Sequence, residues 1–427
     1  MANQNVSRRS FLKTTAAALA IPYLVKSTAM GKDGAVAPSN RLIIGGIGMG
    51  GQCSAGLGCG FGPYVDWAPK GGFMDQPGVH AIAVCDVKKN MLERAQAAVN
   101  MKYGNKDCAG YSDFRELLAR PDIDIIITAT GDRWHPLVSI AAAKAGKDIY
   151  CEKPMAMTIH EAKAVRDTFD RTGRIFQLGS QQRSSREFRF ACELVRNGYI
   201  GKLERVVVQC GGISKPCDLG EEPMPDNIDY DMWLGPSPWR PYHSGVMGWM
   251  AWRDFTIGEI ANWGNHHFDI AQWGIGADAE DTCPTEINPP DKDHKFLTYK
   301  YANGVIMEHD TNGLGIHFYG TDGDIYVMRG ILQTNPVSLQ NVKIGPNEIH
   351  LHEANNHHTD FLNSVKSRTL PGTNHRVGSR SISVCCLGYI TYLLNRPLKY
   401  DPQKWQFVND PEADKFLSRS MRAPWTI

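Results

Sequence analysis

The first half of the chain alternates short apolar runs with longer amphipathic stretches. Apolar runs at residues 42–44, 80–84 and 123–128 have the length and composition of buried strands. Residues 88–103 and 111–119 instead have the periodicity of helices. Strands that alternate with helices are typical of a parallel, doubly wound sheet, so the predicted fold class is α/β.

Beyond residue 176 the pattern changes to separated strands and turns. Residues 203–209, 296–308 and 316–328 predict strands of a second sheet, with a glycine-containing turn inside each of the last two ranges. An apolar stretch at residues 377–394 predicts a core helix. The expected division is therefore a first domain at 38–176 and a second at 177–427, preceded by a segment at 1–37 that is considered below.

A long irregular stretch lies inside the second domain. Residues 214–258 contain six prolines and little periodicity, and such a stretch in a compact domain is usually functional or disordered. Tryptophans argue against disorder here, because six of the ten lie between residues 233 and 273: Trp233, Trp239, Trp249, Trp252, Trp263 and Trp273. Flat aromatic rings suit the apolar faces of sugars, although packing or a subunit interface explains any single one equally well.

The N-terminal segment has the pattern of an export signal. Residues 7–13 read Ser-Arg-Arg-Ser-Phe-Leu-Lys and precede an apolar run at 14–25 and small residues at 27 and 29. This pattern resembles a twin-arginine signal, and the run is shorter than the ~20 residues that span a bilayer. We expect an exported, periplasmic protein with no stable membrane span. Cleavage after Ala29 or after Ala37 changes the formal charge from +1 to −3.

Composition excludes several function classes. Lys and Arg total 46 against 45 Asp and Glu among 427 residues, so there is no basic field for nucleic acid. A hydrophobic fraction of 42% excludes wholesale disorder. Eleven cysteines form no Cys-x-x-Cys pair, which predicts buried free thiols, and a protein exported after folding in the cytoplasm would need no disulfide framework.

A glycine pattern follows the first apolar run directly. Gly46-x-Gly48-x-x-Gly51, with Met49 inside it, lies between a predicted strand and a helix start. Gly46 would permit a tight turn, Gly48 a close approach of the backbone to a pyrophosphate, and Gly51 close packing of helix on strand. The order strand, glycines, helix predicts a dinucleotide-binding site.

The second predicted strand ends at Asp86, which favours NAD over NADP. A carboxylate there accepts hydrogen bonds from the adenosine ribose hydroxyls and repels a 2′-phosphate. Asp86 follows Gly51 by 35 residues instead of the usual ~20, because a Gly-rich and aromatic insertion at about 56–77 intervenes. Lys88 and Lys89 follow closely and weaken the preference.

A further crossing from strand to helix follows Thr128. It lies at the same predicted edge of the sheet, so Thr128 and His135 are candidates for contact with the cofactor. His135 could contact the nicotinamide side, or it could cap or pack a helix.

A third motif carries a family resemblance. Ala145-Gly146-Lys147 precedes a predicted strand that ends in Glu152-Lys153-Pro154. Together with the glycine pattern, this sequence resembles the glucose-fructose oxidoreductase/inositol dehydrogenase (Gfo/Idh/MocA) family over most of the chain after residue 40. The resemblance implies a Rossmann domain followed by an α/β domain with an open, largely antiparallel sheet that carries the substrate site and often an oligomer interface. It also implies a lysine, here Lys153, that points at the reacting hydroxyl, often before a cis proline.

The chemistry supports a role for Lys153 independently. A hydride leaves a carbinol carbon only as the hydroxyl loses its proton, so a group that holds this proton must lie within hydrogen-bond reach. Lys153 fits if burial lowers its pKa; otherwise it is a surface lysine before a turn. Glu152 is expected to contact the nicotinamide ribose or to orient Lys153. By the resemblance, Gln181 and Arg183 lie near the cofactor.

The resemblance extends to the stretch at residues 239–243. Arg240 is its candidate cofactor residue there, and Tyr242 and His243 are candidate substrate residues.

A polar stripe follows at residues 259–273. Helical spacing places Glu259, Asn262, His266 and Asp269 on one face. The family pattern is Asp-x-x-x-His, whose histidine corresponds to His266, an acid/base or hydroxyl-binding group. Asn262 replaces the aspartate, so either His266 works with a neutral amide or Glu259 or Asp269 supplies the charge. His267 and Asp269 are further candidate substrate residues.

We therefore expect an exported NAD(P)-dependent oxidoreductase that acts on a sugar, cyclitol or glycoside hydroxyl and forms a homo-oligomer, a dimer or a tetramer. The catalytic candidates are Lys153, His266 and Asn262. Because the periplasm supplies no dinucleotide pool, the cofactor should be held tightly and recycled on the enzyme. Alternatives are a redox glycosidase resembling glycoside hydrolase family 109 and a non-catalytic sugar-binding protein. His350 and His352, alternating on a predicted strand, and the pair at 357–358, which begins a predicted helix, lack partnering carboxylates, so no metal is expected.

Overall fold

The computed structural model describes residues 37, 40–60, 71–277 and 282–427. The twin-arginine pattern and much of the predicted insertion lie outside the described residues. The described strands form two sheets, as the sequence predicts.

The first sheet is parallel and has six strands. They are β1 (Leu42–Ile47), β2 (Val79–Cys85), β3 (Ala109–Tyr111), β4 (Ile125–Thr128), β5 (Asp148–Cys151) and β6 (Phe176–Leu178). Their order is β3-β2-β1-β4-β5-β6, which is the Rossmann order, and β4 and β5 are buried throughout. Since β6 belongs to this sheet, the sheet extends two residues beyond the expected domain boundary at 176.

Helices connect these strands. They are α1 (Gly51–Leu57), α2 (Lys89–Tyr103), α3 (Phe114–Leu118), α4 (His135–Lys144) and α5 (Ile159–Thr172). Local sequence explains their ends: the Asp113 side chain caps α3, and Thr158 and Glu161 form a reciprocal capping box on α5.

The second sheet has nine strands and is mostly antiparallel. Its strands are β7 (Leu203–Gln209), β8 (Glu286–Asn288), β9 (Leu297–Lys300), β10 (Ile306–Asp310), β11 (Gly315–Gly320), β12 (Asp324–Met328), β13 (Ile331–Asn335), β14 (Leu398–Asp401) and β15 (Gln406–Phe407). Their order is β13-β12-β11-β7-β10-β9-β8-β14-β15, with a parallel pair at β7 and β10. The α/β class and the largely antiparallel second sheet are thus confirmed.

The helices of the second half are α6 (Arg186–Arg196), α7 (Tyr230–Leu234), α8 (Glu259–Asn262), α9 (Gly264–Ile275), α10 (His357–Ser367), α11 (His375–Leu394) and α12 (Pro411–Asp414). Helices α6, α9 and α11 pack on one face of the second sheet. The predicted polar helix is interrupted only at Trp263, whose backbone remains helical. Helix α11 is long and apolar enough to cross a membrane, but 72% of its most apolar window is buried inside the protein, as in a core helix.

One strand prediction is wrong. His350 and His352 lie in an irregular segment and not on a strand. Their side chains contact the Gly345 carbonyl at 2.9 Å and the Asp360 carboxylate at 2.9 Å. The alternating pattern misled because no buried face accompanies it. The prediction of thiols without a disulfide framework is confirmed, since none of the eleven cysteines forms a disulfide and nine of them are buried.

Candidate active site

The carboxyl ends of β1, β2, β4 and β5 line one cleft of about 440 Å³. Parallel strands end at the same edge of a sheet, and this cleft lies where the strand order reverses, between β1 and β4. Its lining includes Gly48, Gly50, Gly51, Asp86, Asp132, His135, Glu152, Lys153, Trp249 and Asn262. Candidates from distant parts of the sequence therefore meet in one place.

The glycine turn forms a cradle at the base of the cleft. Gly48 has a φ of +78°, and a Cβ there would lie 2.6 Å from Cγ2 of Thr130. A Cβ on Gly46 would lie 2.7 Å from Sδ of Met49. Met49 itself is fully buried beneath the turn, so its side chain shapes the turn without lining the cleft. Thr128 has a similar supporting role: its buried hydroxyl donates to the Ile47 carbonyl at 3.3 Å.

Asp86 lies at the far end of the cleft, directly after β2. Its Oδ1 accepts the backbone N–H of Lys88 at 2.7 Å. Burial raises the pKa of Asp86 to about 6, so the carboxylate is ionised at neutral pH.

Glu152 is held firmly at the end of β5. Its Oε1 accepts Nε2 of Gln181 at 2.9 Å and the Tyr150 hydroxyl at 3.2 Å, and its Oε2 accepts the backbone N–H of Lys153 at 3.3 Å. A Cβ on Gly179 would lie 2.6 Å from this carboxylate, so glycine is needed there. Gln181 and Tyr150 thus fix the Glu152 side chain.

Lys153 extends into the cleft and contacts the second domain. Its Nζ donates a hydrogen bond to Oδ1 of Asn262 on α8. Burial lowers the pKa of Lys153, while the carboxylates of Glu152, Asp132 and Glu259 oppose this shift. The bond from Lys153 to Pro154 is cis, as the resemblance implied.

Two histidines near Lys153 are neutral. Burial, together with the charges of Lys153 and Arg329, lowers the pKa of His266 well below its ordinary value. Nδ1 of His266 is buried and has no hydrogen-bond partner in the described part of the chain. Burial lowers the pKa of His135 to about 4; its Nδ1 contacts the Pro154 carbonyl at 2.6 Å, and its Nε2 is buried without a partner among the described residues.

His266 and several further sequence candidates lie outside the lining of the cleft. Asp269 accepts Nε and an Nη of Arg183 at 2.7 and 2.9 Å, so both are engaged in a buried ion pair. His267 is buried, with Nδ1 2.7 Å from the Gln209 carbonyl. Arg240 pairs with Asp254 at 2.9 Å.

Tyr242 and Arg240 instead line a second, more open depression of about 550 Å³. His243 is close to that depression, since its Nε2 lies 3.2 Å from Glu222, which lines it.

The tryptophan-rich stretch divides in a similar way. Trp233 and Trp249 line the cleft, whereas Trp239 is 69% exposed at the second depression. Trp252 and Trp273 are buried in packing.

Sequence reasoning missed two charged residues of the site. Asp132 lines the cleft, and burial raises its pKa to about 7. Its position after β4, at the edge where ligands bind, is a signal that could have found it. Arg329, in the turn between β12 and β13, stacks over Trp263 at 4.6 Å, and its charge reaches His266. No pattern in the sequence marks this turn as part of a site.

The cleft fits a dinucleotide. The Gly48 cradle would be filled by a single Cβ, and the buried carboxylate of Asp86 has accepting capacity beyond its hydrogen bond from the Lys88 backbone. No group of three or more metal-ligating side chains occurs among the described residues. A parallel sheet of this order with a glycine cradle at the switch point defines a dinucleotide-binding protein with a Rossmann domain.

Family models agree with this class. The oxidoreductase family model for an NAD-binding Rossmann fold matches residues 58–180, and the model for the C-terminal alpha/beta domain of the same family matches residues 213–427. The chain therefore belongs to the Gfo/Idh/MocA oxidoreductase family and has its NAD-binding domain.

Individual proteins resemble the chain over different extents. A glycosyl hydrolase family 109 protein from Shewanella baltica (strain OS185) is 31% identical over 218 residues, which are 47% of this chain and 44% of the relative. Aldose-aldose oxidoreductase from Caulobacter crescentus, complexed with glycerol, is 16% identical with a TM-score of 0.58, covering 84% of this chain and 99% of that one. Levoglucosan dehydrogenase in complex with NADH is 16% identical with a TM-score of 0.57 and the same coverage. Both structures share the fold.

Proposed function

We propose that this protein transfers a hydride between a hydroxyl-bearing carbon of a sugar, cyclitol or glycoside and a tightly held NAD. The observation that carries the proposal is the position of Lys153 in the cleft, beside Asn262 and close enough to His266 to lower its pKa. These groups could manage the proton of a substrate hydroxyl. The names of the structural neighbours point to carbohydrates as the substrate class.

Different residues would bind the cofactor, transfer the proton and position the catalytic lysine. The Gly48 cradle and Asp86 would hold the dinucleotide, which supplies a hydride acceptor and donor when bound. Nζ of Lys153 takes the proton of the reacting hydroxyl, because burial lowers its pKa and makes the neutral amine accessible. Neutral His266 lies close to Lys153 and would accept a hydrogen bond from a substrate hydroxyl. Glu152, fixed by Gln181 and Tyr150, orients the backbone N–H of Lys153.

A second candidate function is net hydrolysis of a glycoside through transient oxidation. The relatives named glycosyl hydrolase family 109 proteins favour it. That reaction needs a base for the proton next to the oxidised carbon as well as one for the hydroxyl proton. His266 is neutral and lies close to Lys153, whose pKa is lowered by burial, so these two groups could fill the two roles.

One assay separates the two candidates. Purified protein is mixed under anaerobic conditions with sugars, cyclitols and p-nitrophenyl glycosides, while reduced-nicotinamide absorbance and p-nitrophenol are followed together. Reduction of bound NAD without release of p-nitrophenol supports the oxidoreductase. Repeated release without accumulation of NADH supports the glycosidase. A panel in which no compound changes either signal contradicts both and favours a non-catalytic sugar-binding protein.

We also propose that the protein is exported. Arg8 and Arg9 with the apolar run behind them support secretion by the twin-arginine route, which would carry the folded protein with its cofactor into the periplasm. N-terminal sequencing of protein from the periplasmic fraction should give a start after Ala29 or Ala37. Recovery only from the cytoplasm, beginning at Met1, would contradict export.

A further inference from the structure

A second carboxylate reaches Lys153 through one amide. Asn262 accepts a hydrogen bond from Lys153 at Oδ1, and its Nδ2 lies 3.1 Å from each carboxylate oxygen of Glu259. The three side chains form a line from the start of α8 to the end of β5. In this chain the family's aspartate position is neutral, and the carboxylate lies three residues earlier.

The chemistry of the two outer groups fixes the amide between them. A lysine ammonium only donates hydrogen bonds, and an ionised carboxylate only accepts them. Asn262 therefore satisfies both partners in one orientation only, with Oδ1 toward Lys153 and Nδ2 toward Glu259. If Glu259 were absent, the amide could rotate and turn its N–H groups toward the lysine.

The surrounding backbone makes room for this arrangement. A Cβ on Gly211, just after β7, would lie 2.6 Å from Cβ and 3.0 Å from Cγ of Glu259. The Gly212 carbonyl accepts the backbone N–H of Ile260 at 3.0 Å, which anchors α8 beside this strand end. The stem of Glu259 thus occupies space that only glycine leaves open.

We propose that Glu259 is a positioning residue that orients the Asn262 amide and, through it, sets the direction and charge state of the Lys153 amine. Its consequence for catalysis rests on the function proposed above. Glu259 itself does not transfer the proton, because an amide between it and Lys153 is a poor proton carrier.

Several charged groups face Lys153, and Glu259 is one of three carboxylates among them. Glu152 at the end of β5 and Asp132 before α4 are the others. Arg329 opposes them from the turn between β12 and β13. His266 on α9 and His135 on α4 are neutral and add no charge. Removing the charge of Glu259 should therefore lower the pKa of Lys153 further, because one stabilising carboxylate is lost.

The test measures the pKa of Lys153 directly. Protein as purified is labelled with acetic anhydride over a range of pH, and peptide mass spectrometry reports the reactivity of each lysine. Glu259→Gln keeps the shape and removes the charge, and we expect the pKa of Lys153 to fall by about half to one unit. The pH profile of carbohydrate-dependent NAD reduction should move to lower pH by the same amount.

A rescue variant and a control make the result specific. Asn262→Asp combined with Glu259→Gln returns one carboxylate directly beside Lys153 and should raise the lysine pKa to the wild-type value or above. The control is Glu204→Gln on the exposed side of β7, which should change neither the pKa nor the pH profile. A residue that only stabilises the first turn of α8 would alter Tm without moving the pKa of Lys153.

The outcomes separate this inference from the proposed function. A Lys153 pKa that stays within about 0.2 units in Glu259→Gln, in protein that keeps wild-type Tm, overturns the positioning role even if bound NAD is reduced normally. A shift in Lys153 with no substrate that reduces NAD leaves the positioning role standing and rejects the proposed reaction. Failure of the double variant to restore the pKa also overturns it.

Discussion

The environment of Lys153 explains how a lysine can work as a base in this cleft. Burial favours the neutral amine, whereas the nearby carboxylates favour the ammonium form, and the net effect is a lowered pKa. Its hydrogen bond to Oδ1 of Asn262 uses one N–H of the amine. The other positions on Nζ remain for contact with a substrate. A base that must gain and lose a proton in each cycle needs this balance.

Replacing Lys153 with methionine should abolish the reaction and spare the cofactor. Lys153→Met keeps the length of the side chain and removes the proton acceptor, so carbohydrate-dependent reduction of NAD should fall by about 10²–10⁴-fold. Bound NAD, measured after denaturation, should remain at the wild-type level. The control is Lys144→Met at the exposed end of α4, which should react normally. Wild-type turnover in Lys153→Met would remove this lysine from the mechanism.

Asp86 should make NAD retention depend on pH. Burial raises its pKa to about 6, so the carboxylate is ionised above this pH and becomes protonated below it. A protonated Asp86 loses accepting capacity toward ribose hydroxyls, and NAD should therefore dissociate about tenfold faster at pH 5 than at pH 7.5. Rapid dilution followed by separation of free dinucleotide measures this rate. Asp86→Asn should release NAD fast at every pH; a wild-type rate independent of pH would refute the assignment.

The site residues could be predicted from the sequence only where a local motif follows a predicted strand. Gly48, Asp86, Glu152 and Lys153 follow strands whose order the pattern reveals, so their meeting at one edge could be foreseen. Helical spacing places Asp269 on the same predicted face as Asn262 and His266. Its carboxylate nevertheless pairs with Arg183, a residue that is distant in the sequence. Spacing alone cannot distinguish a side chain that lines the cleft from one that forms a buried ion pair.

Among the elements, the turn between β1 and α1 depends most on a single residue. Gly48 combines a left-handed backbone with close contact to Thr130. Another residue at this position would suffer both backbone strain and a clash, directly under the cofactor cleft.

Gly48→Ala should lose both stability and NAD. Strain and clash together should lower the free energy of unfolding by about 1–3 kcal/mol, and displacement of the turn should weaken NAD retention at least tenfold. Gly146→Ala is the matched control, because Gly146 has a φ of +77° and a Cβ added there would meet no atom of the described residues within 4 Å. It should cost about 1 kcal/mol and leave NAD bound. Thermal unfolding and dinucleotide extraction measure both quantities, and equal NAD loss in the two variants would contradict the cradle.

Element patterns succeeded where burial accompanies periodicity. Strands β4 and β7 and helix α11 were predicted to within a few residues, because their apolar faces are buried in the structure. The alternating histidines at 350 and 352 have no buried face, and the predicted strand does not form. Arg329 lies in the turn between β12 and β13. Its proximity to the site could not be predicted, because it depends on how the second sheet packs beside the first.

Polar contacts between segments that are distant in the sequence stabilise the whole molecule. Arg183 follows β6 of the first sheet, and Asp269 lies on α9 of the second half. The Ser381 hydroxyl of α11 also donates to Asp269, at 2.6 Å. Near the C-terminus, Arg419 pairs with Glu161 of α5 at 2.7 Å. These contacts fix α5, α9 and α11 relative to the segments with which they pair.

Asp269→Asn should destabilise the whole protein. It leaves the buried Arg183 guanidinium without its carboxylate, which typically costs about 3–5 kcal/mol. The comparison is Glu308→Gln, which removes a half-exposed pair with Arg205 and should cost less than about 1 kcal/mol. Denaturant unfolding measures both. Equal stability of the two variants would show that the buried Arg183 pair contributes no more to stability than the half-exposed Arg205 pair.

We propose that this protein holds NAD tightly and recycles it in place. The most direct measurement is the dinucleotide content of purified, denatured protein, determined by absorbance and mass spectrometry, before and after exposure to the carbohydrate panel. We expect close to one NAD per chain, which survives purification and changes redox state when a substrate is added. Protein that carries no dinucleotide and takes up none when NAD is supplied would contradict it.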